Sequence, residues 1–150
     1  MLFRSLFATL DTTSRKLFIE PHHHLVISDT VGFIKSLPTT LIEAFKSTLE
    51  EATGADLLIH VVDISNPAKS DQITEVDKIL KEIKADKIPQ ILILNQIDKI
   101  DAKADFDRDE YGNITRIQLS SLTGDGIEFL KLALVEFNQK QLDIRDRQYV

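Results

Sequence analysis

Apolar residues gather along this chain in short runs rich in β-branched side chains, separated by longer stretches of helical period. That alternation predicts an α/β domain with a largely parallel sheet. The runs "KLFIE" (16–20), "HLVIS" (24–28), "DLLIHVVD" (56–63), "QILILN" (90–95) and "ITRIQLS" (114–120) read as strands. The first two are parted only by a short connection within "PHHH" (21–24), which predicts an antiparallel hairpin. The later runs are nearly continuous in apolar residues, as expected of strands covered by helices on both faces.

Three helices fit between and after these runs. Thr40 and Glu43 stand at capping-box spacing after Pro38, and Leu41, Phe45 and Leu49 follow every fourth residue, predicting a helix over about 40–53 that Gly54 ends. Over about 71–84, Ile73, Val76, Ile79, Leu80 and Ile83 share one face while Glu75, Lys78 and Glu82 share another. A third amphipathic helix over about 125–140 presents Ile127, Leu130, Leu134 and Phe137. The closing "QLDIRDRQYV" reads as a polar exit, and no internal repeat or low-complexity tract is evident.

Composition narrows the class. With 150 residues and 43% hydrophobic positions the chain suits one domain with a core of its own. A formal net charge of −6 gives no electrostatic reason for broad capture of nucleic acid or acidic membrane. Cysteine is absent, which removes disulfides and thiolate chemistry and leaves oxygen and histidine as metal ligands. The apolar opening "MLFRSLFATLDTTSRK" is broken by Arg4 and turns polar by Asp11, leaving no signal-peptide core. The run Leu57 to Val62 is far too short to span a membrane, so a cytoplasmic protein is expected.

In open α/β sheets ligands bind beyond the carboxyl ends of the strands, and the polar residues of this chain collect there. After "HLVIS" comes Asp29-Thr30-Val31-Gly32, a carboxylate able to hold magnesium through water and a glycine whose N–H an anion can approach closely. After "QILIL" comes Asn95-Gln96-Ile97-Asp98, an amide and a carboxylate suited to the donors and acceptors of a purine edge. After "ITRIQL" comes Ser120-Ser121-Leu122-Thr123-Gly124, a small-residue turn whose backbone amides could touch the same base. Each motif alone reads best as an ordinary turn or helix cap. Three of them, each directly after its own strand and in the order magnesium, base, base, match a guanine-nucleotide site far better than chance turns do.

Taken together, "LFATLDTTSRKL", "DTVGFIKSLPTTLIEAFKSTLEEATGADLLIHVVD", "LNQID" and "SSLTGDG" resemble the GTPase domain of the HflX family, ribosome-associated GTPases of the Obg-HflX group. The similarity runs along nearly the whole chain. It implies a P-loop NTPase-type three-layer sandwich, here one partial G domain over 1–150 without its first strand and first helix. It also implies GTP or GDP with Mg2+ as ligands and the large ribosomal subunit as partner, with a cytoplasmic location at the ribosome or a membrane surface. By the same resemblance Phe7, Ala8, Thr9, Leu10 and Asp11 form the switch segment, with Thr9 on magnesium. Asp29 holds the metal through water, Thr30 and Val31 lead to Gly32, and the Gly32 N–H meets the γ-phosphate. Asn95 and Asp98, flanking Gln96 and Ile97, read guanine, and Ser120, Ser121 and Leu122 complete the base pocket. No catalytic side chain is implied: Phe33 stands where other GTPases orient water with glutamine, and it cannot polarise water.

Two departures from the family pattern stand out. Gln96 replaces the lysine of Asn-Lys-x-Asp, whose stem lies over the guanine, so weaker affinity is expected. The phosphate cradle Gly-x-x-x-x-Gly-Lys-Ser/Thr is missing: the glycines stand at 32, 54, 112, 124 and 126, and none precedes a Lys-Ser or Lys-Thr pair. The chain therefore reads as a fragment or split gene product, with either a companion chain supplying the loop or a non-catalytic remnant of the fold as the alternative. In the family the missing strand lies between those at 24–28 and 56–63, so the two close up, or residues 2–7 fill the place, at a cost in stability.

Smaller features take ordinary readings. Adjacent His22, His23 and His24 point apart in an extended turn and converge poorly on one ion. His60 reads as a satisfied core histidine, and Asp63 as the cap of the "SNP" turn. The stretch "DKIDAKADFDRDEYGN" (98–113) lacks the spacing of a calcium loop and reads as a solvated acidic loop.

Overall fold

A computed structural model describes residues 14–20, 23–28, 43 and 50–148 of the chain. Strands β1 (Ser14–Glu20) and β2 (His23–Ser28) pair as a two-stranded sheet, the predicted hairpin. Strands β3 (Leu58–Asp63), β4 (Gln90–Asn95), β5 (Asp105–Arg108) and β6 (Ile114–Gln118) form a second sheet in the order β3-β4-β6-β5. Helix α1 (Lys69–Glu82) joins β3 to β4, and α2 (Ile127–Gln148) follows β6. β4 and β6 run parallel, with Leu92 opposite Arg116 and Leu94 opposite Gln118. Leu58 donates to the Pro89 carbonyl and Ile64 to that of Asn95, the same sequence offset at both ends, so β3 and β4 are parallel too.

Contacts divide the chain into two compact units, Met1–Lys16 with Val26–Leu58 and Pro67–Pro89, and Leu17–Leu25 with Ile59–Asn66 and Gln90–Val150. In the first, α1 turns Val76 and Leu80 into a small core with Ala85, packed by Leu58, Ile83 and Ile88. The helix ends in a Schellman motif: Lys84 takes the left-handed conformation (φ 62°), its N–H meets the Lys81 carbonyl, and the Ala85 N–H meets that of Leu80. Of the predicted helix over 40–53, Glu43 and Glu50 are helical and Glu51–Gly54 is a 3-10 turn. Residues 40–42 and 44–49 lie outside the described residues.

In the second unit Ile91, Ile93 and Leu94 of β4 and Ile114 and Ile117 of β6 are buried, along with Ala133 and Leu134 of α2. β4 thus fits the expectation of a strand covered on both faces. β3 does not, because Ile59 is 36% and Val61 58% exposed while Val62 is buried. His60, expected in the core, is half-buried.

Two expectations are corrected. Part of the stretch read as an acidic loop is β5, an antiparallel strand with Asp105 opposite Gln118, Phe106 opposite Ile117 and Asp107 opposite Arg116. Its apolar content is one residue, Phe106, which packs against Phe129 of α2 at 4.9 Å between ring centres. Cross-strand charge does the rest: Arg116 donates to Asp107 at 2.5 Å, and Arg108 makes a two-pronged pair with Glu136 of α2 at 2.9 Å on each prong. The second correction is the polar exit, which is the continuation of α2 to Gln148. Its Gln, Leu and Arg residues are good helix formers, and Gln139 bridges to Asp143 one turn on, so the helix persists without an apolar stripe.

These charged contacts give a pH dependence of known sign. The Arg116 guanidinium holds the Asp107 carboxyl below its ordinary range, Arg108 does the same for Glu136, and the Asn113 backbone N–H does so for Asp109. A carboxyl whose folded pKa lies below its unfolded value stabilises the fold above the unfolded value, about 4, and loses that contribution as pH falls through the folded one. The melting temperature should therefore hold between pH 7 and 5 and drop below about pH 4. An unchanged melting temperature from pH 5 to pH 3 would contradict the assignment.

Candidate functional site

The carboxyl ends of β4 and β6 carry the predicted base-reading residues, and the backbone stitches the two ends together. Leu119 donates to the Leu94 carbonyl at 3.0 Å and Ile97 donates back to that of Leu119 at 3.3 Å. Between these bonds Gln96 takes a left-handed conformation, φ 71° and ψ 36°, which turns the chain sharply out of β4 into the 3-10 turn Ile97–Lys99. A non-glycine residue there costs on the order of 1 kcal/mol. Two contacts offset it: the Ile97 side chain is buried to 2% exposure, and the Asn95 side-chain oxygen accepts the Gln96 N–H at 2.8 Å.

Asn95 is held at both ends of its carboxamide. Its Oδ1 also accepts the Ser121 N–H at 3.0 Å, and its Nδ2 donates to the Ser121 hydroxyl at 3.1 Å. With two N–H groups on Oδ1, the amide can face a ligand only as a donor, through its remaining hydrogen.

Ser120 is fully buried, and all its polar atoms are engaged. Its hydroxyl donates to Asp98 Oδ1 at 2.6 Å and accepts the Thr123 N–H at 3.1 Å, its N–H reaches the Asp125 carbonyl, and its carbonyl accepts the Gly124 N–H. Among the described residues Asp98 Oδ2 meets no partner, and a carboxylate can only accept there. In the loop 120–124 the amides of Ser120, Ser121, Thr123 and Gly124 are all taken within the protein. Among the described residues the Leu122 N–H has no such partner, on a side chain 84% exposed. The loop closes at Gly126, φ 84°, where an added Cβ would stand 2.8 Å from the Gln118 carbonyl oxygen.

The end of β3 joins the same cluster. Ile64 donates to the Asn95 carbonyl, and Asp63 caps its turn as predicted, accepting the Ser65 N–H at 2.9 Å and hydroxyl at 2.6 Å. Those bonds, with Lys99 at 3.5 Å from Oδ2, draw the Asp63 carboxyl below its ordinary range. Lys99 and Gly126 join the cluster beyond the predicted site residues, and the second glycine of "TGDG" is the sequence signal for the latter.

The structure thus brings Asn95, Gln96, Ile97, Asp98, Ser120, Ser121 and Leu122 into one loop cluster. Phe7, Ala8, Thr9, Leu10, Asp11, Asp29, Thr30, Val31 and Gly32 lie outside the described residues. No group of three histidine or acidic side chains suited to a metal occurs among the described residues, and none of their helices is long and apolar enough to cross a membrane.

A parallel-sheet α/β unit with a donor amide, an acceptor carboxylate and an open backbone N–H at its strand ends has the architecture of the P-loop NTPase class. The chain belongs to the 50S ribosome-binding GTPase family, whose model matches residues 4–96. Within it the chain is of the HflX type. It is 44% identical over 132 residues to GTPase HflX of Escherichia coli (strain K12), covering 87% of this chain and 31% of that protein. It is 55% identical over 93 residues to GTPase HflX of Flavobacterium psychrophilum, covering 62% of this chain and 22% of that one. The chain therefore spans about a third or less of these relatives' length. Among solved structures, a GTP-binding protein of Sulfolobus solfataricus in complex with GDP matches with a TM-score of 0.71 at 26% identity, over 93% of this chain and 48% of its own.

Proposed function

We propose that residues 1–150 form one partial G domain that reads the guanine of GTP or GDP, with the hydrolytic role of an HflX-type GTPase at the large ribosomal subunit. The observation that carries this reading is the polarity of the strand-end cluster. Asp98 Oδ2 offers only an acceptor, which suits the N1–H and N2–H groups of guanine and opposes the N1 acceptor of adenine. The Leu122 N–H suits O6, and the remaining Asn95 hydrogen suits N7. Three donors and acceptors in that order select guanine over adenine.

Mg2+ would be held by Thr9 and Asp29, where it would neutralise phosphate charge. One observation favours a second reading, a non-catalytic module of the same fold: Gln96, a neutral amide, stands where the family pattern has a lysine over the base. Titrating a fluorescent GDP analogue with Mg2+, and competing it with GDP and ADP, tests the base-reading claim. Weak, saturable binding displaced by GDP and not by ADP is expected. Equal displacement by both would remove it, and binding without phosphate release from GTP would favour the second reading.

A further inference from the structure

Ser121 meets Asn95 twice, through its N–H on Oδ1 and its hydroxyl on Nδ2, so a single residue defines the plane of the amide. The carboxamide is planar, so the Gln96 and Ser121 N–H bonds to Oδ1 already limit its rotation about the Cβ–Cγ bond, a broad and soft torsion, and a bond at Nδ2 narrows that rotation further. Among the described residues, the Ser121 hydroxyl is the partner that Nδ2 meets. The hydrogen it takes lies on the amide edge facing the loop, and the other hydrogen is thereby aimed away from it. We propose that the Ser121 hydroxyl is a positioning group for purine recognition, clasping the Asn95 carboxamide so that its one remaining hydrogen is aimed at the N7 acceptor of the base. This rests on the base-reading role above and adds to it a residue whose side chain need not touch the nucleotide.

The expected effect is modest and chemically specific. Replacing Ser121 with alanine keeps the backbone N–H bond and removes only the hydroxyl, so GDP should bind about two- to tenfold more weakly, the range of one neutral hydrogen bond. The loss should vanish against 7-deaza-GDP, which has a C–H in place of N7 and nothing for the aimed hydrogen to meet. Ser121→Thr keeps the hydroxyl and should bind GDP as the unaltered chain does.

The test is NMR titration of the full chain, Ser121→Ala and Ser121→Thr with GDP and with 7-deaza-GDP, the free-protein spectra showing that each variant is folded. Selective weakening of GDP in the alanine variant, rescued by threonine, supports the clasp. If the unaltered chain prefers GDP over 7-deaza-GDP and Ser121→Ala keeps that preference in full, the clasp is wrong and the Asn95 role stands. If the unaltered chain binds both nucleotides equally, or neither, the Asn95 role fails and the clasp with it.

Discussion

Replacing Gly126 with alanine is expected to cost about 2–4 kcal/mol of folding stability and to open the loop that carries Ser120 and Ser121. The added Cβ would stand 2.8 Å from the Gln118 carbonyl oxygen, 2.9 Å from the Leu119 Cβ and 3.0 Å from the Ala104 Cβ. Two of these are fixed by β6 and its exit, so the loop must move instead. The left-handed backbone, φ 84°, adds a cost that alanine meets anywhere in that region. Gly112 and Gly124 serve as controls, since both have positive φ but nothing within 4 Å of an added Cβ. Alanine at either should cost only about 1 kcal/mol. Urea unfolding of the three variants measures the difference, and equal losses at all three sites would show that backbone conformation alone, without the collision, governs Gly126.

The second large effect concerns specificity. Asp98→Asn exchanges an acceptor-only group for one that can also donate, at nearly constant size. The Ser120 hydroxyl can still donate to the retained oxygen, so the fold should be little changed. Binding should change greatly. A hydrogen bond to a charged group contributes about 1.5–3 kcal/mol, so GDP should weaken by roughly 10- to 150-fold. Xanthine carries a carbonyl where guanine has its 2-amino group, and the new amide donor suits it. The variant should therefore prefer xanthosine diphosphate to GDP, reversing the order of the unaltered chain. Competition between the two nucleotides measures this, and a variant that still prefers GDP would show that Asp98 does not face the base.

What could be read from the sequence follows from where apolar residues sit. β4 has Ile91, Ile93 and Leu94 buried, and such a run announces itself. β5 has one apolar residue and owes its place to pairing with β6 and to ion pairs with residues 9 and 28 positions away, which no local pattern reveals. The far end of α2 was hidden for the same reason: a polar helix has no stripe to show. In the site, the spacing Asn95-x-x-Asp98 and the turn at 120–124 were legible because strand ends are punctuated by small polar residues. Their mutual bonds were not legible. That Ser120 would be spent wholly inside the protein, or that Ser121 would grip Asn95 by two atoms, depends on the stagger between β4 and β6, and a single sequence carries no register.

The proposed function requires the ends of β4 and β6 to form one guanine-reading surface. Amide shift mapping of the labelled chain with GDP, and separately with ADP, in the presence of Mg2+ tests it most directly. Saturable shifts are expected at Asn95 to Asp98 and at Ser121 to Gly124 with GDP, the largest at the Leu122 amide, with no matching set for ADP. Shifts that spare both loops, or that arise equally with ADP, would contradict it.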